Sequence, residues 1–238
     1  MMKKFTVIFA VAAIALTASA EQPVFNHLGA GVSVGTNGIS IEVATPITDW
    51  VQMRAGASFM PGITFNSDAE VSYTAAGMHR TSSVDLKGDL GRTQGQVIFN
   101  IYPMTTRIPL YVAVGAYFGG RDLVKITGHS DELEQVGGGD VVIGDYIIPV
   151  DSHGNVEGGL RVKSFRPYVG LGWGKAIPGK LLNFSMDLGV QIHGTPELYS
   201  KYGTINTADI DDDNTFNKIR DKLKVYPTLT FRLGFRAF

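Results

Sequence analysis

The chain has no cysteine among its 238 residues. That excludes a structural disulfide, a thiolate nucleophile, a Cys-ligated zinc and the lipidated cysteine of a lipoprotein anchor. Charge is also sparse. Asp, Glu, Lys and Arg make up 18% of the residues, 21 basic against 22 acidic, for a formal charge of −1. With no basic excess there is no electrostatic footprint for a nucleic-acid backbone, and no nucleic-acid partner is expected. Beyond residue 20 no stretch reaches 18 consecutive apolar residues, so no transmembrane helix is expected there. What is abundant is glycine. Its 29 copies exceed the roughly 7% of an average protein, which argues against a coiled coil or helical bundle and for short-turned β structure in one medium domain.

Residues 1–20 read as an address. Lys3 and Lys4 form a basic n-region, an apolar stretch runs from Phe5 to Leu16, and Ala18-Ser19-Ala20 precedes Glu21. This is the layout of a secretory signal peptide cleaved after Ala20, leaving residues 21–238 as the mature domain. The apolar run would span about 18 Å as a helix, short of the roughly 30 Å hydrocarbon core, so it is a poor membrane anchor. A bacterial envelope protein is the expected class.

The rest of the chain alternates with a period of two. Leu182, Phe184, Met186, Leu188, Val190 and Ile192 interleave with Asn183, Ser185, Asp187, Gly189, Gln191 and His193, so this strand has one apolar and one polar face. A soluble sandwich or lipocalin-like barrel turns the apolar face inward; an outer-membrane barrel turns it to lipid. The glycines decide between them. In 110–119 and 168–174 the second face is glycine, small residues and tyrosine. A narrow barrel interior needs such small residues, whereas a water-facing sheet surface has no use for glycine, which weakens strands.

Eight strands are expected, over residues 28–36, 38–45, 50–60, 95–102, 109–120, 165–174, 181–193 and 225–238. These lengths approximate the 9–11 residues that cross a bilayer at a tilt. The connections at 46–49, 103–108 and 175–180 are short and carry proline or glycine, Thr36-Asn37-Gly38 is a tight hairpin, and 61–94, 121–164 and 194–224 are long. Short turns on the side of the termini and long loops opposite are the asymmetry of outer-membrane barrels. Asp140, Val141–Ile143 and Tyr146–Val150 predict that strands continue into one of the long loops.

The segment 165–174 (FRPYVGLGWG), the turn 45–50 (TPITDW), the strand end 100–103 (NIYP) and the terminal Phe238 together resemble small outer-membrane β-barrels of the OmpA, OmpX and OmpW kind. The resemblance implies an eight-stranded antiparallel up-and-down transmembrane barrel, with outer-membrane lipid around it and the barrel-assembly machinery as a partner through the C-terminal strand. One feature departs from that pattern. Counting back by twos from Phe238 gives Arg236, Gly234, Arg232 and Thr230, whereas the apolar set is Phe235, Leu233, Phe231 and Leu229. Either Phe238 lies beyond the paired strand or a bulge near Gly234 shifts the phase.

Turning the polar phase inward puts Glu42, Gln52, Arg54, Asn100, Arg166, Asp187, Gln191, Thr230, Arg232 and Arg236 in the lumen. Buried charges need partners, which predicts pairing of Glu42 with Arg54 across the Pro46 turn and of Arg166 with Asp187 across the Pro178 turn. A filled lumen makes the protein a structural or surface-interaction barrel, serving envelope integrity or adhesion with an extracellular ligand at the long loops. A narrow porin-like or OmpW-like path for small or hydrophobic solutes is the alternative. Trp173 and Tyr226 suit an interfacial girdle at the short-turn ends, and Trp50 falls in the inward phase.

Signals for chemistry are weak, and neither enzyme activity, cofactor nor metal is expected. A lipid-modifying barrel would need a Ser/His pair at the outer rim, yet Ser185 and His193 lie roughly 26 Å apart along one strand; His79, His129 and His153 have no readable partner. Asp209-Ile-Asp-Asp-Asp213 imitates a calcium loop, but Asn214 stands where glycine is required and Arg220 where glutamate is. Gly170-Leu-Gly-Trp-Gly-Lys175 imitates a phosphate loop, yet its glycines follow strand alternation and no helix follows. Phe216, Ile219 and Leu223 predict a short amphipathic helix within 214–224.

Overall fold

Alternation along the chain is resolved in the computed structural model, which describes residues 27–75, 78–103, 108–135, 139–143, 146–177, 179, 181–202, 206–207 and 223–237. The signal-peptide segment 1–20, the acidic run 209–213, most of the helical pattern at 214–224, and Phe238 lie outside them. In chain order the strands are β1 (Gly29–Gly35), β2 (Gly38–Thr48), β3 (Val51–Met60), β4 (Thr64–Ala75), β5 (Met78–Asp89), β6 (Arg92–Ile101), β7 (Leu110–Phe118), β8 (Asp122–His129), β9 (Gly139–Ile143), β10 (Tyr146–Val150), β11 (Asn155–Arg161), β12 (Phe165–Trp173), β13 (Leu182–Ile192), β14 (Glu197–Ser200), β15 (Asn206–Thr207) and β16 (Val225–Arg236). One short helix, α1 (Asp131–Gln135), follows β8.

Eight of these strands close into a barrel in the order β1-β16-β13-β12-β7-β6-β3-β2. They are the eight that the alternation predicts, and every pairing is antiparallel. The faces divide as the alternation predicts, apolar outward and polar inward. Val32, Val34, Ile39, Ile41, Phe59, Val169, Leu171, Phe184, Leu188, Phe231 and Leu233 point outward and exposed; Ser33, Ser40, Glu42, Arg54, Gln96, Asn100, Asp187 and Arg232 point inward and buried. On β13 the burial pattern changes sign residue by residue over 182–188. An 11-residue strand at a tilt near 40° rises about 28 Å, enough for the roughly 25 Å apolar band of such barrels.

The strand ends differ from the sequence expectation at β6, which starts at Arg92 rather than 95, and at β2 and β16. β2 runs on through Pro46 to Thr48, with Pro46 opposite Gln52 and a register shift before Thr48; proline cannot donate to the ladder, and the irregularity absorbs it at the end of the pairing. On β16 the register is continuous from Gly29↔Arg236 to Gly35↔Thr230. No bulge lies at Gly234, and β16 ends at Arg236; Phe238 lies outside the described residues.

The long connections carry a second eight-stranded sheet, in the order β14-β11-β8-β5-β4-β9-β10-β15. The strands expected at 140–150 are β9 and β10. The long β4–β5 hairpin, β8, β11 and β14 were not legible as strands. On β8 every residue is half-buried or exposed, with no alternation. A strand bathed in one medium on both faces leaves no period-two signature.

Candidate functional site: the lumen and the outer sheet

The barrel interior is filled by a charge network built from opposite walls. Arg54 on β3 makes a two-pronged contact with Asp187 on β13, Nη1 to Oδ2 at 2.9 Å and Nη2 to Oδ1 at 3.2 Å. These strands lie four apart in the eight-strand order, so the pair spans the lumen. Arg54 also donates from Nε to Asn100 Oδ1 at 3.1 Å and stands 3.6 Å from Glu42 Oε1. Glu42 is further paired with Arg232 Nε and accepts from Gln96 Nε2 at 3.0 Å. Tyr111 donates its hydroxyl to Asp187 Oδ1, and Arg232 Nη1 donates to the Ala176 carbonyl at 2.7 Å. Two guanidinium and two carboxylate groups therefore balance in charge, the pairing that makes buried ions tolerable, although Arg232 Nη2 and Asn100 Nδ2 are buried without a hydrogen-bond partner.

Arg166 does not join Asp187. Asp187 is opposite Gly172 on β12, six residues from Arg166, and six residues of strand separate them by about 20 Å. Arg166 sits at the long-loop end instead, where it donates to Gln94 Oε1 at 2.7 Å and to the Lys163 carbonyl at 2.9 Å. Tyr226 is also placed differently from its expectation. It starts β16 at the long-loop end, opposite Gln191, turns toward the lumen, stacks on His193 with centroids 5.2 Å apart, lies under the Arg92 guanidinium and donates to the Thr36 carbonyl at 2.7 Å. Residue 226 follows a long loop, so it cannot stand at a short turn. Trp173 does stand at the short-turn end, opposite Leu110 and pointing outward. Trp50 is 52% exposed and does not cap the lumen. Arg236, at the same end, lies 3.1 Å from His27 Nδ1.

Tyrosines are the lumen residues that charge-based reasoning missed. Tyr102 and Tyr111 pack at 5.2 Å, and Tyr117 and Tyr168 at 5.5 Å edge-on, within one buried cluster with Ile98 and Ala113. Their signal is the glycine opposite. A Cβ on Gly172 would stand 2.2 Å from Tyr111 Cζ, and one on Gly189 2.5 Å from the Tyr168 hydroxyl. Gly31, between β2 and β16, likewise leaves room for Arg232 to reach Glu42, since its Cβ would stand 2.7 Å from the guanidinium. We expect Gly172→Ala to cost about 1–3 kcal/mol, the range for overpacking a closed interior, because the Tyr111 ring must leave its hydrogen bond to Asp187; chemical denaturation in micelles measures it, and Tyr111→Leu in the same chain should recover part of the loss.

Beside the Arg54–Asp187 pair, space is scarce. The void bounded by Ser33, Asn37, Ser40, Glu42, Arg54, Gln96, Tyr117 and Asp187 holds about 10 Å³, room for at most one water. Ser185 and His193, the pair considered for catalysis, are not brought together: Ser185 is opposite Arg232 deep in the barrel, and His193 is at the long-loop end.

On the outer sheet a charged groove of about 250 Å³ is lined by Asp122, Lys125, Glu157, Arg161, Tyr199 and Lys201. Arg161 donates to Asp122 at 2.6 Å and lies 3.4 Å over the Tyr199 ring, while Glu157 bridges Lys201 at 2.6 Å and Lys125 at 3.1 Å. The hydrogen bonds from Lys201 and Lys125 hold the Glu157 carboxyl below the usual carboxylate range. His129 is shifted upward, first by its hydrogen bond to Asn155 and then by Asp131.

No protein-family model matches the chain, and no curated protein does. Among solved structures it is similar to CarO2 of Acinetobacter baumannii, with 20% identity over 90% of this chain and 100% of that one and a TM-score of 0.49. It is also similar to CarO of the same organism, with 21% identity over 87% and 96% and a TM-score of 0.45. Closed strand order, apolar exterior and charged, tyrosine-packed interior together make the chain a closed, eight-stranded, antiparallel β-barrel.

Proposed function

We propose that the protein is exported by residues 1–20 and inserted in the outer membrane, and that it acts through its outward sheet, as a structural or surface-interaction barrel, rather than through its lumen. The observation that carries this reading is the filled interior: the Arg54–Asp187 pair spans it and the void beside that pair holds about 10 Å³. A hydrated ion needs a continuous path several times wider. The outer sheet, by contrast, offers charged groups, an arginine-capped tyrosine and a groove to an external partner.

Single-channel recording of the purified protein in planar bilayers tests the proposal, with gel mobility before and after boiling as the check that the barrel is folded. Silence from a folded barrel is expected. Steady conductance that changes when Arg54 or Asp187 is neutralised would overturn it in favour of a narrow solute channel.

A further inference from the structure

Two distant segments of the outer sheet are stitched together at one corner. β8 ends at His129 and passes through Ser130 into α1, which carries Asp131 and Glu134. The turn between β10 and β11 carries His153. The Ser130 N–H donates to the Gly154 carbonyl at 3.0 Å; Gly154 has φ +72°, and a Cβ on it would stand 2.3 Å from the Ser130 carbonyl oxygen. The approach therefore depends on glycine there. It brings His129 Nε2 to 3.0 Å from Asp131 Oδ1 and 4.0 Å from Glu134 Oε2, all within 4.8 Å of one another. His153 Nδ1 stands 4.0 Å from the other oxygen of Glu134.

Which nitrogen of His129 faces the carboxylates is fixed from behind. Asn155 donates to the Asp151 carboxylate from its backbone N–H at 2.8 Å and from its side-chain amide at 3.1 Å. That turns its carbonyl oxygen to His129 Nδ1, at 3.1 Å. Only an N–H on Nδ1 satisfies that oxygen, so in the neutral ring the bare lone pair is on Nε2. It then points at two carboxylates, an arrangement that is repulsive unless a proton or a cation sits between them. An imidazole whose remote nitrogen donates to a fixed acceptor while the near one joins carboxylates is the usual form of a metal-binding histidine. Ligand atoms about 2.0–2.1 Å from a tetrahedral zinc lie about 3.3 Å from one another; the separations here are 3.0 Å, 4.0 Å and at most 4.8 Å, so these exposed side chains close onto an ion by moving about 1.5 Å or less.

We propose that His129, Asp131 and Glu134, with His153 as the fourth ligand, form a binding site for a divalent transition-metal ion of the zinc class on the outer sheet. Imidazole ligands select zinc, nickel or copper over calcium and magnesium, which prefer oxygen alone. Binding would clamp the end of β8 and α1 to the β10–β11 turn. The experiment is isothermal titration of the detergent-purified, tag-free protein with zinc chloride, then with calcium chloride. One equivalent of zinc is expected to bind. His129→Ala should weaken it by at least the roughly tenfold that follows loss of a metal-orienting neighbour, and His153→Ala should weaken it as well, while calcium neither binds nor competes. All four side chains are exposed, so the variants fold, and the boiling-dependent gel shift verifies that. Zinc affinity unchanged in His129→Ala would place the metal elsewhere and overturn the site. So would calcium binding as tightly as zinc, because a solvated acidic patch would then account for the heat.

Discussion

Asp187→Ala is expected to destabilise the barrel by about 3–5 kcal/mol, the cost of removing one partner from a buried ion pair. Asp187 accepts two hydrogen bonds from Arg54 and one from Tyr111. Its loss strands a guanidinium that is 2% exposed. Glu42 at 3.6 Å and Asn100 at 3.1 Å remain beside Arg54, which sets the effect toward the lower end of the range. The measurement is the urea midpoint of the protein in micelles, followed by the mobility of the unboiled band. A second variant separates charge from packing. Arg54→Met with Asp187→Leu removes both ions together, and apolar replacement of a whole buried pair is often neutral or stabilising. The double variant should therefore recover most of what Asp187→Ala loses. A single variant as stable as the parent would mean that water reaches Arg54, and would contradict the closed lumen.

Leu188→Arg, one residue further along β13, is expected to cost about 2–4 kcal/mol when the protein is folded into lipid vesicles, as for an arginine on the lipid face near mid-membrane. Leu188 is 60% exposed and stands midway along its strand, opposite Leu229 and Leu171. Its neighbour Asp187 faces the lumen. Unfolding from vesicles with urea reads the difference between parent and variant. The size of the effect also identifies the surrounding medium. On a water-facing barrel surface an exposed Leu→Arg substitution stays within about 0.5 kcal/mol, and an effect that small would remove the lipid from the description of the exterior.

The eight barrel strands were legible because the exterior and the lumen of the barrel are chemically different surroundings. Every second residue on β2, β12, β13 and β16 answers to one or the other, and a period of two in apolarity is the direct record of that division. Glycine opposite tyrosine was visible as composition, though the pairing of Tyr111 with Gly172 needed the register. The strands of the outer sheet were not legible. β8 has no face excluded from water, so propensity alone separates it from loop, and Asp, Lys and Gly within it argue for loop.

For the lumen the sequence by itself determined which residues face inward. Glu42, Arg54, Asn100, Asp187, Gln191 and Arg232 follow from phase alone. Only the tertiary structure decided their partners. Strand phase reports which side of the sheet a residue is on, but closing the barrel brings Arg54 of β3 against Asp187 of β13 across a diameter, through no hairpin that sequence distance could reveal. Arg166 shows the same limit in reverse: it lies on the next strand in sequence to Asp187, yet about 20 Å of β12 keeps the two apart. At the corner formed by His129, Asp131, Glu134 and His153, the two histidines approach opposite oxygens of Glu134 through the return of a long connection and the close approach at Gly154. Proximity of that kind is a property of the closed chain, because it depends on where backbone segments meet and not on any local pattern.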